Sequence, residues 1–192
     1  MQKKEELRKK CLNERAKISQ TKISSWSSKI NKRFLSLPQL DKAKKIMAYA
    51  SMRKEIETFD LLEKLLDQGY LLYLPFTRKD VGDLGTAQIN DLDSDLKDGV
   101  YGVQEPVMKI RDEKPPEDLD LIIVPGACFT RSGYRIGYGG GYYDSFLSKH
   151  ANSALKIGFC YDLFIVDSIP IEEHDVPVDI IITEKEIIRT KQ

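Results

Sequence analysis

The chain has 192 residues, equal numbers of basic and acidic side chains (30 each), 41% hydrophobic residues and three cysteines. That length suits a single domain over residues 1–192, able to bury ~70% of its unfolded surface without a disulfide or structural metal. Zero net charge removes any whole-chain electrostatic case for nucleic acid or an anionic membrane, and no apolar run approaches the ~18 residues of a membrane-spanning helix.

The basic segment Gln2 to Lys17 has a helical pattern, with Leu7, Cys11 and Arg15 on one weakly apolar face. Its charges read as a solvated face. A sharper reading has Lys4 and Arg8, one turn apart, reaching an anion. The segment lacks the apolar stretch of a signal peptide, and Cys11, Cys128 and Cys160 lack paired or metal-ligand spacing. Together these features predict reduced, packed thiols and a cytoplasmic location. Ser19 or Thr21 can cap a second helix, whose stripe Ile23, Trp26, Ile30, Phe34 and Leu37 faces a core, and Pro38 ends it.

Ile46 to Ser51 reads as a buried strand followed by a polar loop through Glu57. Thr58 then caps a leucine-rich helix closed by Gly69, and Tyr70 to Phe76 is the next strand. Strand–helix–strand is the unit of a parallel sheet, and such sheets bind ligands beyond the carboxyl ends of their strands. Ser51, Glu55 and Glu57 stand at one such end, and Pro75, Phe76 and Arg78 at the other. Val81 to Ile89 predicts a hairpin, Asp91 to Asp98 an exposed acidic stretch, and Lys109 to Asp118 a charged surface loop.

Leu119 to Val124 is apolar enough for a central strand. It leads to Gly133–Asp144, which holds five of the twelve glycines, with Arg131 and Arg135 at or before its start and a predicted helix, Tyr142 to Lys149, at its end. Three adjacent glycines each cost about 1 kcal/mol in chain entropy relative to alanine. That cost favours a phosphate cradle of backbone N–H groups over an ordinary tight turn. The stretch is neither a P-loop, since it carries no lysine, nor a dinucleotide fingerprint. Asp144 suits Mg²⁺ or a first helical turn. Leu155 to Tyr161 and Val178 to Thr183 supply two more strands, with a short helix in Asp162 to Pro170. The two histidines offer no metal triad, and no nucleophilic triad is visible.

The run Val124-Pro-Gly-Ala-Cys-Phe-Thr-Arg-Ser-Gly-Tyr-Arg-Ile-Gly-Tyr-Gly-Gly-Gly-Tyr-Tyr-Asp144 closely resembles the signature of 5-formyltetrahydrofolate cyclo-ligases. Lys4-Glu-Glu-Leu-Arg8, Glu55-Ile-Glu-Thr58, Gly102-Val-Gln-Glu-Pro106 and His174-Asp-Val-Pro-Val-Asp179 match shorter motifs of that family in the same order. Thr130 stands where many members carry an acidic residue. The resemblance implies an α/β fold: one three-layer domain with a mostly parallel central sheet flanked by helices, similar to sugar-phosphate isomerases and CoA transferases. It implies ATP-dependent closure of 5-formyltetrahydrofolate to 5,10-methenyltetrahydrofolate by a monomer, with Mg²⁺ and through a phosphorylated formyl group. Lys4 and Arg135 are then the implied catalytic residues. Lys4, Arg8, Arg135, Ile136, Gly137, Tyr138, Gly139, Gly140, Gly141, Tyr142 and Tyr143 would bind ATP. Ala50, Met52, Glu55, Tyr101, Tyr138, Gly139, Gly140, Gly141 and Tyr142 would bind folate, and Asp144 and Asp179 the metal. The competing expectations are an isomerase or CoA transferase of the same fold, which needs no ATP, and a nucleic-acid module, which zero net charge disfavours.

Overall fold

A computed structural model describes residues 2–98, 104–112, 118–150 and 153–190. The amino-terminal part folds as α1 (Gln2–Ala16), α2 (Gln20–Leu35), β1 (Lys45–Met47), α3 (Phe59–Asp67), β2 (Leu71–Arg78) and β3 (Asp83–Ile89). A short excursion follows: α4 (Leu92–Asp95), β4 (Leu96–Asp98), β5 (Gln104–Pro106) and β6 (Arg111–Asp112). The remainder is β7 (Leu121–Val124), β8 (Cys128–Thr130), β9 (Arg135–Ile136), α5 (Tyr142–His150), β10 (Leu155–Phe159), β11 (Ile165–Val166), β12 (Ile180–Ile182) and β13 (Ile187–Arg189).

The central sheet runs β13-β12-β10-β7-β1-β2-β3-β6. The five strands from β12 to β2 are mutually parallel, and β13, β3 and β6 join antiparallel at the two edges. All four residues of β7 are buried at the middle, as the apolar run predicts for a strand covered on both faces. The expected α/β architecture, a mostly parallel sheet flanked by helices, is therefore present. Ser19 caps α2 by accepting the N–H of Lys22, and Ile23, Ile30 and Phe34 are fully buried along its stripe. Trp26 is half-buried at the edge of that stripe, its ring 5.5 Å from that of Tyr161.

Several local expectations change. Thr58 stands at the start of α3 without capping it. Its hydroxyl donates to Tyr49 O (2.7 Å) and accepts from Ser51 N–H (3.0 Å), tying the loop after β1 closed. The acidic stretch 91–98 is partly internal: Asp95 is buried and accepts from the N–H groups of Asn90 and Asp91. Residues 111–112 of the expected surface loop form β6 on the sheet edge. The predicted helix after Asp162 is one 3-10 turn followed by β11.

Gly158 in β10 has a packing reason. A Cβ there would stand 2.5 Å from the ring of fully buried Phe129, and one on Gly126 would stand 2.6 Å from the same ring. The two glycines make the slot that Phe129 fills. The three cysteines are free and buried, as their spacing predicts.

Candidate active site

Strands β1, β2 and β7 release the chain on the same side of the sheet, at Ala48–Ser51, Thr77–Lys79 and Pro125–Gly126. A cleft of about 440 Å³ opens there, the size of a small-molecule site. Ala50, Met52 and Glu55 form part of its lining, together with Arg135, Gly137, Tyr138 and Gly140 through Asp144.

Glu55 hangs from the loop after β1. The carboxylate accepts the N–H of Met52 (2.9 Å), and Tyr161 donates its hydroxyl to the Glu55 carbonyl (2.9 Å). Arg53, two residues earlier, has φ 51°, a left-handed backbone uncommon outside glycine. Only 5% of Glu55 is exposed, and burial pushes its carboxyl up. Hydrogen bonds from Tyr138 and Met52 and the charges of Arg15 and Arg53 pull the other way without cancelling the effect. The outcome is a carboxylate short of hydration inside a cleft, suited to accept N–H donors from a ligand.

The glycine stretch supplies the facing wall. It begins as a hairpin, β8 against β9, and Thr130 supports it: its hydroxyl lies 2.9 Å from that of Ser132 and donates to Tyr134 O. Arg135 leaves β9 with its side chain 2% exposed, donating to Val176 O (2.7 Å) and to Asp144 Oδ1 (2.8 Å). Burial pulls the guanidinium down, and the Asp144 charge opposes it. Gly139 (φ 106°) and Gly141 (φ 68°) turn the backbone where side chains are strained, and a Cβ on Gly140 would meet the Tyr142 ring at 2.6 Å. The turn runs straight into the first turn of α5, whose N–H groups are free of intrahelical partners. Tyr143 adds a buried hydroxyl without a hydrogen-bond partner among the described residues. Desolvation pushes it up, so it stays a neutral donor.

Helix α1 closes over this wall. Arg8 Nε donates to Gly137 O (2.8 Å) and its guanidinium also pairs with Glu5. Arg15 donates to Gly126 O (3.2 Å) and to the Tyr138 hydroxyl (2.7 Å). Lys4 bonds Asp175 (2.6 Å) and Glu172 (3.1 Å) instead of the glycine turn. Burial pulls its ammonium down, but the two carboxylates outweigh that and raise it. The segment carrying them also touches Asp144, which accepts the N–H of Val176 (3.2 Å).

The structure thus gathers Ala50, Met52, Glu55, Arg135, Gly137, Tyr138, Gly140, Gly141, Tyr142, Tyr143 and Asp144 at one cleft. Lys4, Arg8 and Gly139 lie beside it, and a Cβ added to Gly139 would stand 3.6 Å from the Arg8 guanidinium. Ile136 departs from its expected binding role: its side chain is in the core, and its carbonyl accepts the N–H of Ala127. Asp179 departs further. It stands at the amino end of β12, the opposite sheet edge from the cleft, where Lys156 engages its carboxylate through its N–H (2.7 Å) and Nζ (3.0 Å). Asp175 is the carboxylate whose charge acts on Arg135, and its neighbour Val176 gives its N–H to Asp144. Tyr101 lies outside the described residues. Ligand atoms of Glu172, His174 and Asp175 come within 4.8 Å of one another, but the Lys4 ammonium already sits on two of them.

Sequence reasoning missed Lys79 and Arg111 in the cleft lining, and Arg15 beside it. Arg111 lies over the Phe76 ring at 4.8 Å and pairs with Glu105. The motif containing Glu105 was its available signal.

Comparison with known proteins agrees with the geometry. The model of the 5-formyltetrahydrofolate cyclo-ligase family matches residues 1–184. A Caenorhabditis elegans protein named probable 5-formyltetrahydrofolate cyclo-ligase is 30% identical, over 90% of this chain and 88% of its own. The 5-formyltetrahydrofolate cyclo-ligase of Haemophilus influenzae is 29% identical, over 92% of this chain and 95% of its own. The solution structure of Aquifex aeolicus 5,10-methenyltetrahydrofolate synthetase superimposes with a TM-score of 0.84 at 33% identity, covering 98% of this chain and 93% of that one. A cleft with a recessed carboxylate on one wall and an arginine-backed glycine turn on the other, in a chain matched almost end to end, belongs to a member of the 5-formyltetrahydrofolate cyclo-ligase family.

Proposed function

We propose that the chain closes 5-formyltetrahydrofolate to 5,10-methenyltetrahydrofolate at the expense of ATP, releasing ADP and phosphate. The observation that carries this reading is the shared cleft: Glu55 and the Arg135–glycine wall face one cavity of about 440 Å³. A pterin ring presents N–H donors in a row, and a recessed carboxylate accepts them. A triphosphate presents anionic oxygens, and backbone N–H groups at a helix start with a buried guanidinium receive them.

The chemistry asks for positioning and charge neutralisation. A formamide carbon is a poor electrophile, and its oxygen a poor leaving group. The formyl oxygen attacks the γ-phosphorus and ADP departs. N10 then attacks the activated carbon, loses its proton, and phosphate leaves with the former formyl oxygen. In-line transfer of this kind needs no enzyme nucleophile. Arg135 is held by Asp144 and Val176 O, so its charge is fixed before the phosphoryl group arrives and costs no reorganisation during transfer. Arg8 fixes the turn through Gly137 O, and Lys4 supplies a second cation once it exchanges carboxylate for phosphate. Tyr143 offers a donor hydroxyl to the bound pair of substrates.

Asp144 fits a Mg²⁺ ion: both bonds it accepts among the described residues fall on Oδ1, leaving Oδ2 for a cation, with Asp175 nearby. Mg²⁺ takes one or two carboxylates, phosphate oxygens and water, and would supply charge neutralisation at the phosphates. The test is incubation with 5-formyltetrahydrofolate and Mg-ATP while following methenyl absorbance. Absorbance should rise only with ATP; folded protein giving no ATP-dependent signal overturns the reading. Asp144→Asn should raise the Mg²⁺ concentration for half-maximal rate about tenfold or more, the loss of one carboxylate ligand. An unchanged Mg²⁺ dependence would remove Asp144 from the metal site.

A further inference from the structure

We infer that Arg15 is a positioning residue for substrate recognition, acting through the Tyr138 hydroxyl on the Glu55 carboxylate. The inference rests on the folate reading of Glu55 and adds to it a residue that sets how that carboxylate is presented.

Arg15 is anomalous on its own helix. Along α1 only Cys11 and Arg15 are buried, and Arg15 is 8% exposed. Its two hydrogen bonds among the described residues go to neutral oxygens, Gly126 O and the Tyr138 hydroxyl, and its guanidinium lies 5.4 Å from the centroid of the Tyr138 ring. A buried guanidinium bonded only to neutral groups needs a counter-charge close by. Glu55 meets that need across the Tyr138 hydroxyl: Arg15 donates to that hydroxyl, and Arg15, Tyr138 and Glu55 line one small space, with Tyr138 acting on the Glu55 carboxylate. The three side chains, with Tyr49 and Tyr161, enclose a space of about 10 Å³, room for about one water.

The direction of the relay follows from donor arithmetic. A guanidinium only donates, and an ionised carboxylate only accepts. With Arg15 donating to its oxygen, the Tyr138 hydroxyl turns its proton to Glu55. Met52 N–H takes Oε2. The arrangement opposes the upward pull of burial on the carboxylate and leaves lone pairs for a ligand's N–H groups. A plain strut between α1 and the glycine turn would need neither the charge nor the hydroxyl. Glu55 is faced by Arg15 from α1, Tyr49 from the end of β1, Arg53 from its own loop, Tyr138 from the glycine turn, Tyr143 from α5 and Tyr161 after β10. Burial pushes the four tyrosines up, and the charges of Arg15 and Arg53 pull Glu55 the other way.

The experiment measures 5-formyltetrahydrofolate binding by calorimetry without nucleotide, from acid to neutral pH, for wild type, Arg15→Met, Arg15→Lys and Tyr138→Phe. Mg-ATP KM is taken in parallel. Arg15→Met should weaken folate binding about tenfold at neutral pH and move the acid side of the binding profile up by about one pH unit. Tyr138→Phe should move the profile the same way, and Arg15→Lys should restore its position without the full affinity. Mg-ATP KM should stay within about twofold in the two Arg15 variants. An Arg15→Met profile that overlays wild type overturns the relay, as does a Mg-ATP KM that rises in step with folate, the mark of a strut for α1. If Arg15→Met fails to fold, Arg15→Lys and Tyr138→Phe carry the same comparison. If wild type does not bind the folate at all, the substrate reading has failed instead. The relay is then decided by ¹³C titration of the Glu55 carboxyl, which must move upward in Tyr138→Phe if the relay exists.

Discussion

Arg135 has one duty in the fold and a second in the proposed reaction, and replacing it with glutamine separates them. Its side chain is 2% exposed and bridges Val176 O (2.7 Å) and Asp144 Oδ1 (2.8 Å). Breaking a fully buried ion pair costs about 3–5 kcal/mol because a charge is left unpaired. Asp144 is 20% exposed at the cleft and keeps the Val176 N–H, so water rehydrates it and the lower end applies. Glutamine should therefore cost about 3 kcal/mol, and a chain this size should melt roughly 6–12 °C lower. Catalysis should lose more than stability accounts for. Removing a preorganised charge from a developing oxyanion typically costs about 10²–10³ in kcat. Arg135→Gln should show that loss, measured as methenyl formation well below its melting temperature, with 5-formyltetrahydrofolate affinity within about twofold of wild type. Arg135→Lys keeps the charge but reaches one oxygen where arginine reaches two, and should fall between. A lowered melting temperature with full kcat would refute the catalytic assignment and leave Arg135 a scaffold. An unchanged melting temperature would refute the burial argument itself.

Glu55→Gln should weaken 5-formyltetrahydrofolate binding about tenfold or more by calorimetry while sparing Mg-ATP, since a charged acceptor is replaced by a neutral one. Its stability should move oppositely. Burial raises the folded carboxyl above its ordinary 4.5, so the stability Glu55 contributes is present below that value and lost as pH rises through the folded pKa. Denaturant unfolding should show the glutamine variant gaining on wild type across that window, and a constant difference would contradict the shift. Asp83 has the reverse sign: burial raises it, but Lys149 (2.7 Å) and the Leu84 N–H bring it below 3.8 overall. Asp83→Asn should cost about 1 kcal/mol at neutral pH, discounted because Lys149 is 52% exposed, and the difference should close in acid as wild type falls through its folded pKa. Gly158→Ala should cost about 1–3 kcal/mol through overpacking against Phe129, and Phe129→Leu in the same chain should recover part of it; strictly additive losses would show that the two positions do not collide.

Long periodic segments could be read from the sequence because burial leaves a pattern in them. The α2 stripe and the apolar β7 run are examples, and both appear at their expected places. Strands β6, β9 and β11, with two residues each, are too short for any period, and β6 and β11 are held by neighbours distant in sequence. The hairpin inside the glycine stretch was hidden for that reason: its β8 and β9 arms look like the lead-in to a loop. The loop motifs singled out Glu55, Arg135 and Asp144 because their chemistry is unusual for a surface, and the structure brings the three to one cleft. Asp179 illustrates the opposite case. Its motif suggested a metal, but its place at the amino end of a parallel strand puts it on the wrong edge of the sheet. Arg15 could not have been found, because its partner Tyr138 lies 123 residues away and nothing local distinguishes it from the surrounding cations.

Helix α1 shows why such a residue escapes a hydropathy reading. Lys4, Arg8, Cys11 and Arg15 recur at spacings of 4, 3 and 4, which is one helical face. The face is amphipathic in position, but its code is cationic. Lys4 meets the carboxylates of the 172–175 segment, Arg8 the glycine turn, and Arg15 the exit of β7 and Tyr138. Apolar burial holds most helices in place; here the seam is mainly hydrogen bonds, each worth only about 0.5–1.5 kcal/mol net. A seam of that kind holds the helix modestly in the free protein. On the proposed reaction it would gain as ATP enters the cleft, because Lys4 and Arg8 would then exchange carboxylate and carbonyl oxygens for phosphate. Arg15 would stay in place, since its partners are the Gly126 carbonyl and the Tyr138 hydroxyl and not carboxylates that a phosphate would displace. On the function proposed above, the amino end of the helix would respond to the nucleotide while its carboxyl end stays fixed on Gly126 and Tyr138 beside Glu55.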